Sequence, residues 1–292
     1  MIITNLIGGL GNQMFQYACG RSLSLRNEMP LLVAADLFGE YNQHNGFELL
    51  NVFDIDVPVA TQDDLASLLG FKSSPKLRRL LGRFSMSWAN GRNWCIEPSF
   101  DYWPGIYKIK NPVYLHGYWQ SESYFSSIAD IIRFDFNFRT ELDNLDRDVY
   151  ARMALGPSAS IHVRRGDYLK GKFKNIYATL GIEYYVKSAQ YLRNKYPSVN
   201  FFVFSDDPEW VVKYLQPEIG RIEVVSHNIG IRSPFDMRLM SMADHHIIAN
   251  SSFSWWGAWL NLSKEKIVIA PKKWFADGRL TPTLLPSSWI RL

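Results

Sequence analysis

The chain has 292 residues, enough for one large or two medium domains, and its 47% hydrophobic content supplies a full core. A net charge of +4 suits an anionic small ligand or a membrane surface but is too weak to argue for nucleic acid. Cys19 and Cys95 are too few for a disulfide framework and lack metal-ligand spacing, which fits a reducing, cytoplasmic setting.

In chain order, residues 2–7 read as a short apolar strand with no basic segment before it, so not as a signal peptide. A glycine-rich turn at 8–11 leads to a helix over 12–26, and 31–35 is a second strand. Residues 63–81 read as helical with a break near Pro75. Lys76 to Arg83 there is a basic stretch suited to peripheral contact with an inner membrane. Residues 85–112 are aromatic and irregular; a strand at 113–117 and helices at 121–132 and 143–155 follow. Gly156-Pro157 then breaks the pattern, which divides the chain into domains 1–155 and 156–292, with the last residues free to cross back. Beyond it, strands ending near 161, 204, 225, 249 and 270 alternate with helices at 182–195, 208–215, 234–243 and from 254. That alternation is the pattern of parallel β/α/β units.

Three strand ends carry chemistry. His162-Val163-Arg164-Arg165-Gly166-Asp167 puts two guanidiniums, an imidazole and a carboxylate at a strand tip, where open α/β sheets bind ligands. Arginine's planar fork suits phosphate oxygens, with Asp167 buttressing one arginine; the plain alternative is a surface charge cluster. Asn250-Ser251-Ser252-Phe253 leads from a strand into a helix bearing Trp255, Trp256 and Trp259, and a helix start with serine hydroxyls is a ready anion site. Those tryptophans are expected to lock the helix into the core. Ser205-Asp206-Asp207 ends a third strand with acceptors for ribose hydroxyls or a metal, or with Asp207 as a helix cap. No Asp-x-Asp stands there, so no metal is invoked. His245-His246 before a strand reads as structural.

The N-terminal Gly9-Leu10-Gly11-Asn12-Gln13-Met14 looks like a dinucleotide fingerprint, with Asp36 where a ribose-binding carboxylate would stand. This is the reading of an NAD(P)-dependent oxidoreductase, and it fails at the third glycine, replaced by Met14. The other reading is a tight turn exposing backbone N–H groups and the amides of Asn12 and Gln13, or simply a helix start capped by Asn12. Ten tryptophans also admit a non-catalytic carbohydrate-binding protein, stacking sugars on rings.

Taken in order, Gly8-Gly9-Leu10-Gly11-Asn12-Gln13, the arginine hexapeptide, Phe204-Ser205-Asp206-Asp207 and Asn250 to Trp259 resemble the bacterial α-1,2-fucosyltransferases of glycosyltransferase family 11. The resemblance spans about residue 5 to 275. It implies an α/β GT-B fold, two Rossmann-like domains facing a central cleft, with an acceptor-binding domain followed by a GDP-fucose domain. It implies inverting transfer of fucose to the 2-hydroxyl of a terminal galactose, with neither metal nor resident cofactor. Arg164 would take the departing β-phosphate, supported by Arg165 and Asp167. His162 would contact the nucleotide, and Ser251, Ser252 and Phe253 would hold phosphates. Asp236 stands where relatives recognise guanine, and Ser205 and Asp206 lie on the donor side. Gly9, Asn12 and Gln13 would face fucose and acceptor. No general base is legible: Lys170-Gly171-Lys172 replaces the carboxylate that some relatives carry, and Asp36, Glu40 and Glu122 are weak candidates.

Overall fold

A computed structural model describes residues 1–40, 45–82, 91–166 and 175–292. The chain forms two compact units, Met1–Arg139 with Pro282–Leu284, and Thr140–Thr281 with Leu285–Leu292. The division therefore falls before the helix at 144–153 rather than after it. The reason is hydrogen bonding: Asp146 on that helix accepts from His227 and Asn228, both in the second unit. The tail returns to the first unit only at Pro282–Leu284, where Thr283 accepts from Tyr102 N at 2.8 Å and from Ser121 Oγ at 2.7 Å.

The first unit holds a four-stranded parallel sheet in the order β2-β1-β4-β3, formed by β1 (Ile2–Asn5), β2 (Leu31–Ala34), β3 (Trp94–Ile96) and β4 (Val113–His116). Short, fully buried strands, β2 wholly apolar and β1 opening on Ile2-Ile3, suit a sheet covered on both faces. Its helices are α1 (Leu10–Asn27), α2 (Leu49–Val52), α3 (Gln62–Leu69), α4 (Pro75–Leu81) and α5 (Ala129–Asp135). The expected 63–81 helix breaks into α3 and α4 because Ser74-Pro75 starts a new helix with Pro at its first position. β3 lies in the stretch that reads as irregular; Trp94 packs edge-on against Tyr114 of β4.

Asp36, at the end of β2, is no ligand carboxylate. It pairs with Arg78 of α4, whose side chain is 0% exposed and also donates to Ser73 O at 2.9 Å and Tyr114 Oη at 3.2 Å. Asp36→Ala should cost about 2 kcal/mol, below the ~3–5 typical of a broken buried pair because Asp36 itself is one-third exposed. Urea unfolding of the variant checks this; an unchanged midpoint would show that Arg78 is solvated without its partner.

The second unit contains β5 (Ser158–Val163), β6 (Asn200–Ser205), β7 (Ile222–Val225), β8 (His245–Ile247), β9 (Val268–Ala270) and β10 (Ile290–Arg291). All pair in parallel in the order β7-β6-β5-β8-β9-β10, a doubly wound sheet whose order reverses between β5 and β8. Around it lie α6 (Asn144–Met153), α7 (Ile182–Lys195), α8 (Pro208–Trp210) continued by a π-helical turn, α9 (Gln216–Ile219), α10 (Ser233–Met242) and α11 (Ser252–Leu260). Trp255 and Trp256 on α11 are fully buried and Trp259 nearly so, so the three tryptophans anchor the helix as their apolar spacing implies. His246 is also structural, bonded to Ser160 Oγ at 2.9 Å and Asn261 Nδ2 at 3.0 Å. Among the described residues no helix is long and apolar enough to cross a membrane.

Candidate active site

In the second unit the reversal of strand order puts the ends of β5 and β8 side by side, Ile161 level with Ile247. The end of β5, His162-Val163, and Arg164 after it therefore run toward the start of α11. The rings of His162 and Phe253 are 5.8 Å apart. Burial, then the charge of Arg164, pushes His162 down to about 3, so its imidazole is neutral; Nδ1 has no hydrogen-bond partner among the described residues. Ser251 caps α11, its hydroxyl accepting from Phe253 N at 3.3 Å, and Ser252 opens the helix. Asn250 is spent on structure, donating to Ala178 O and Trp274 O.

The two arginines are held differently. Arg164 Nε lies 3.2 Å from Asp206 Oδ2, and its side chain stays 27% exposed. Arg165 lies 3.4 Å from Asp207 and over the ring of Trp210 at 4.0 Å, a stacked and neutralised position. Asp206 also accepts from Arg165 N at 2.8 Å and Gly166 N at 3.1 Å. A β-carbon on Gly166 would stand 2.9 Å from that carboxylate, so a larger residue there would push Asp206 away from the loop. Ser205 turns the chain by accepting from Asp207 N, and Asp207 caps α8 through Trp210 N at 3.1 Å. Asp206 thus shapes the arginine loop. Asp167 lies outside the described residues, as does the 170–172 stretch.

Asp236, in the first turn of α10, is bonded to Asn228 at 2.9 Å, and Asn228 in turn to the fully buried Asp146 at 2.8 Å. Burial, aided by Asp146, pushes Asp236 up to about 7. Its partners belong to this cluster and not to the arginine loop.

In the first unit the corresponding reversal lies between β1 and β4, where Asn5 Nδ2 meets His116 Nδ1 at 3.1 Å. Gly9 caps α1 with no side-chain bond, so the cap is not Asn12; Asn12 Oδ1 instead accepts from Gln120 Nε2 at 2.6 Å. Gln13 requires a correction. It is 0% exposed and, among the described residues, its amide bonds to backbone groups on both sides, so it is turned into the structure and not toward a ligand. Gln16 ties Ile7 N to Gly117 O, linking the loops after β1 and β4.

One step beyond β3, Glu97 accepts from Tyr118 N at 2.7 Å and Trp119 N at 3.0 Å. Trp119 has φ +55°, a left-handed backbone rare for a tryptophan, and is fully buried. A β-carbon on Gly117 would come within 2.8 Å of Glu97 Oε2, so the turn needs glycine there to pass the carboxylate. Burial pushes Glu97 up to about 7, the two N–H bonds acting the other way.

Residues 54–291 match the sequence model of Glycosyl transferase family 11. The chain belongs to that family. It is 34% identical to an alpha-1,2-colitosyltransferase of Escherichia coli, covering 100% of this chain and 99% of that one. It is 32% identical to the O-antigen biosynthesis glycosyltransferase WbnK of Escherichia coli, covering 98% and 99%. A galactoside alpha-(1,2)-fucosyltransferase 2 of Hylobates lar is 26% identical over 88% of this chain and 68% of its own. Among solved structures, the NodZ alpha-1,6-fucosyltransferase soaked with GDP-fucose superposes with a TM-score of 0.53 at 16% identity, covering 89% and 91% of the two chains. POFUT1 in complex with GDP-fucose gives 0.53 at 10% identity, covering 91% and 96%. At such identities the likeness is one of fold, that of GT-B fucosyltransferases. Family 11 membership also sets aside the oxidoreductase and the non-catalytic sugar-binding readings.

Glu97 is a hydrogen-bonded carboxyl group at a strand end that the sequence of this family 11 enzyme does not single out. Its signal is faint: a three-residue apolar run, Trp94-Cys95-Ile96, ended by a carboxylate and Pro98 inside an aromatic stretch. Such a run is too short for its period to declare a strand.

Proposed function

We propose that this glycosyltransferase moves L-fucose from GDP-fucose to the 2-hydroxyl of a terminal galactose, with inversion and with neither metal nor resident cofactor. The second unit holds the donor and the first the galactose-terminated acceptor. The observation that carries the reading is Arg164 at the end of β5, beside the capped start of α11, at the point where strand order reverses. A guanidinium and helix-start N–H groups together suit a diphosphate. Arg164 stabilises the leaving β-phosphate, while Arg165, Asp206 and Ser205 hold the loop that presents it. Asp167 is proposed to support them from the sequence pattern alone. His162, as a neutral imidazole with an open Nδ1, contacts the nucleotide, and Ser251, Ser252 and Phe253 line the phosphates. Asp236 recognises guanine, whose N–H donors would restore its ionised form. Gly9 and Asn12 lie on the acceptor side.

A thermal-shift panel tests the class. GDP and GDP-fucose at 100 times their Kd should add about 2.7 kcal/mol to the stability of the folded state, and UDP and NAD nothing. Equal protection by UDP would sink the guanine reading. Identity to a colitosyltransferase favours a second donor, GDP-colitose, whose sugar is fucose without its 3-hydroxyl. Comparing kcat/KM for the two donors with one galactoside acceptor separates the alternatives.

A further inference from the structure

We infer that Glu97 is the proton acceptor of the transfer reaction, taking the proton of the acceptor hydroxyl as that oxygen attacks the sugar. This rests on the proposed placing of the acceptor in the first unit. Glu97 stands at the carboxyl edge of that unit's sheet, where α/β sheets bind their ligands. A carboxylate has about four acceptor positions, and Tyr118 N and Trp119 N fill one on each oxygen of Glu97. Among the described residues no lysine or arginine pairs with it, so its basicity is not lowered by a cation. Of the other carboxyl groups in this unit, Asp36 is committed to Arg78, and Glu48, 8% exposed, to Asn45 at 2.9 Å.

The turn that Glu97 holds is built to present a surface. Trp119 is fixed in a left-handed conformation beneath it, and backbone strain of this kind persists where packing over-determines a functional position. Tyr118, whose backbone N–H bonds to Glu97, is 41% exposed and offers an aromatic ring of the kind that packs on the apolar side of a sugar. Gln120, in the same turn, bonds to Asn12 in the first turn of α1.

In the step itself, the acceptor O–H proton passes to a Glu97 oxygen. The hydroxyl oxygen's electron pair forms the new bond to the anomeric carbon. The bond from that carbon to the β-phosphate oxygen breaks, and its electrons leave with GDP. Glu97 then returns the proton to water.

The titratable groups that face Glu97 are Cys19 of α1, Cys95 of β3 and Tyr124 after β4. Burial raises all three, Cys95 to about 12, so each is neutral at pH 7. His116 of β4, one residue before the Gly117 turn, is pushed down to about 4 by burial and Arg78, and is neutral as well. Glu97 is thus the group near this turn whose charge changes around neutrality: it works as a base above about 7 and is protonated, hence inactive, below it.

The test uses the full chain with whichever of GDP-fucose and GDP-colitose the wild type turns over, and a galactoside acceptor. Wild-type kcat should fall as pH drops through about 7. Glu97→Gln should lower kcat by about 10²–10³-fold, abolish that limb, and leave KM and thermal protection by GDP unchanged. A limb that persists in Glu97→Gln but vanishes in Glu48→Gln would overturn the assignment. So would a Glu97→Gln enzyme that keeps kcat and merely melts earlier, the signature of a brace for the turn. Should Glu97→Gln not fold, the wild-type profile decides: no acid limb in kcat between about pH 5.5 and 8 overturns the inference. A wild type that uses neither donor fails at the proposed function, and the inference falls with it.

Discussion

Arg164→Ala is expected to lower kcat by about 10³-fold or more, roughly 4 kcal/mol of lost transition-state stabilisation, while the fold is retained. As the sugar–phosphate bond breaks, negative charge grows on the β-phosphate. In the proposed reaction no metal shares it, so the cationic side chain and the helix-start dipoles must. Arg164 is placed for this because it pairs with Asp206 through Nε while its side chain stays 27% exposed at the strand end. Arg165→Ala should do less, since its guanidinium is stacked on Trp210 and paired with Asp207, and it acts by holding the loop. Initial rates with circular dichroism on both variants make the comparison. Turnover of Arg164→Ala within tenfold of wild type would sink the assignment.

Gln13→Ala is expected to destabilise the protein by about 3 kcal/mol without changing kcat of the folded enzyme. Its Nε2 donates to Gly8 O at 3.0 Å and Gly46 O at 2.8 Å, and its Oε1 accepts from Glu48 N at 3.0 Å and Leu49 N at 3.1 Å. Removing the amide strands backbone groups in a site with no solvent exposure, each worth about 1–3 kcal/mol before relaxation and water entry recover part of it. The amide is therefore a clamp that joins the start of α1 to the start of α2. Urea unfolding at constant m measures the loss. An unchanged midpoint together with a raised acceptor KM would return Gln13 to the ligand.

The contrast between these two residues shows what kind of information each level carries. Arg164 could be read from the chain because its setting is local. An apolar run ends, a glycine turns the backbone, and the charged residues between them must stand at a strand tip. The same logic located Ser251 at a helix start and Asp207 as a cap, since caps and turns are fixed by neighbours within a few residues. Asn12 and Gln13 sit one residue apart on the same helix turn, yet one meets Gln120 and the other is sealed under the 46–49 segment. Nothing within the motif distinguishes them. The partners that separate them lie 108 positions away for Asn12 and 33–36 for Gln13.

By itself, then, the sequence determined the β/α alternation, the strand ends and the chemistry carried on them, because periodicity and turn residues act over a few positions. Only the tertiary structure decided which ends meet. Pairing of β5 with β8, strands separated by two others in the chain, brings the end of β5 to the start of α11, where the rings of His162 and Phe253 lie 5.8 Å apart. Pairing of β3 with β4 sets Glu97 against the Gly117–Trp119 turn, gives it two backbone donors, and buries it enough to hold a proton near neutrality. Strand order is settled by the packing of the whole core, and desolvation by everything that surrounds a group; neither is written in the residues adjacent to it.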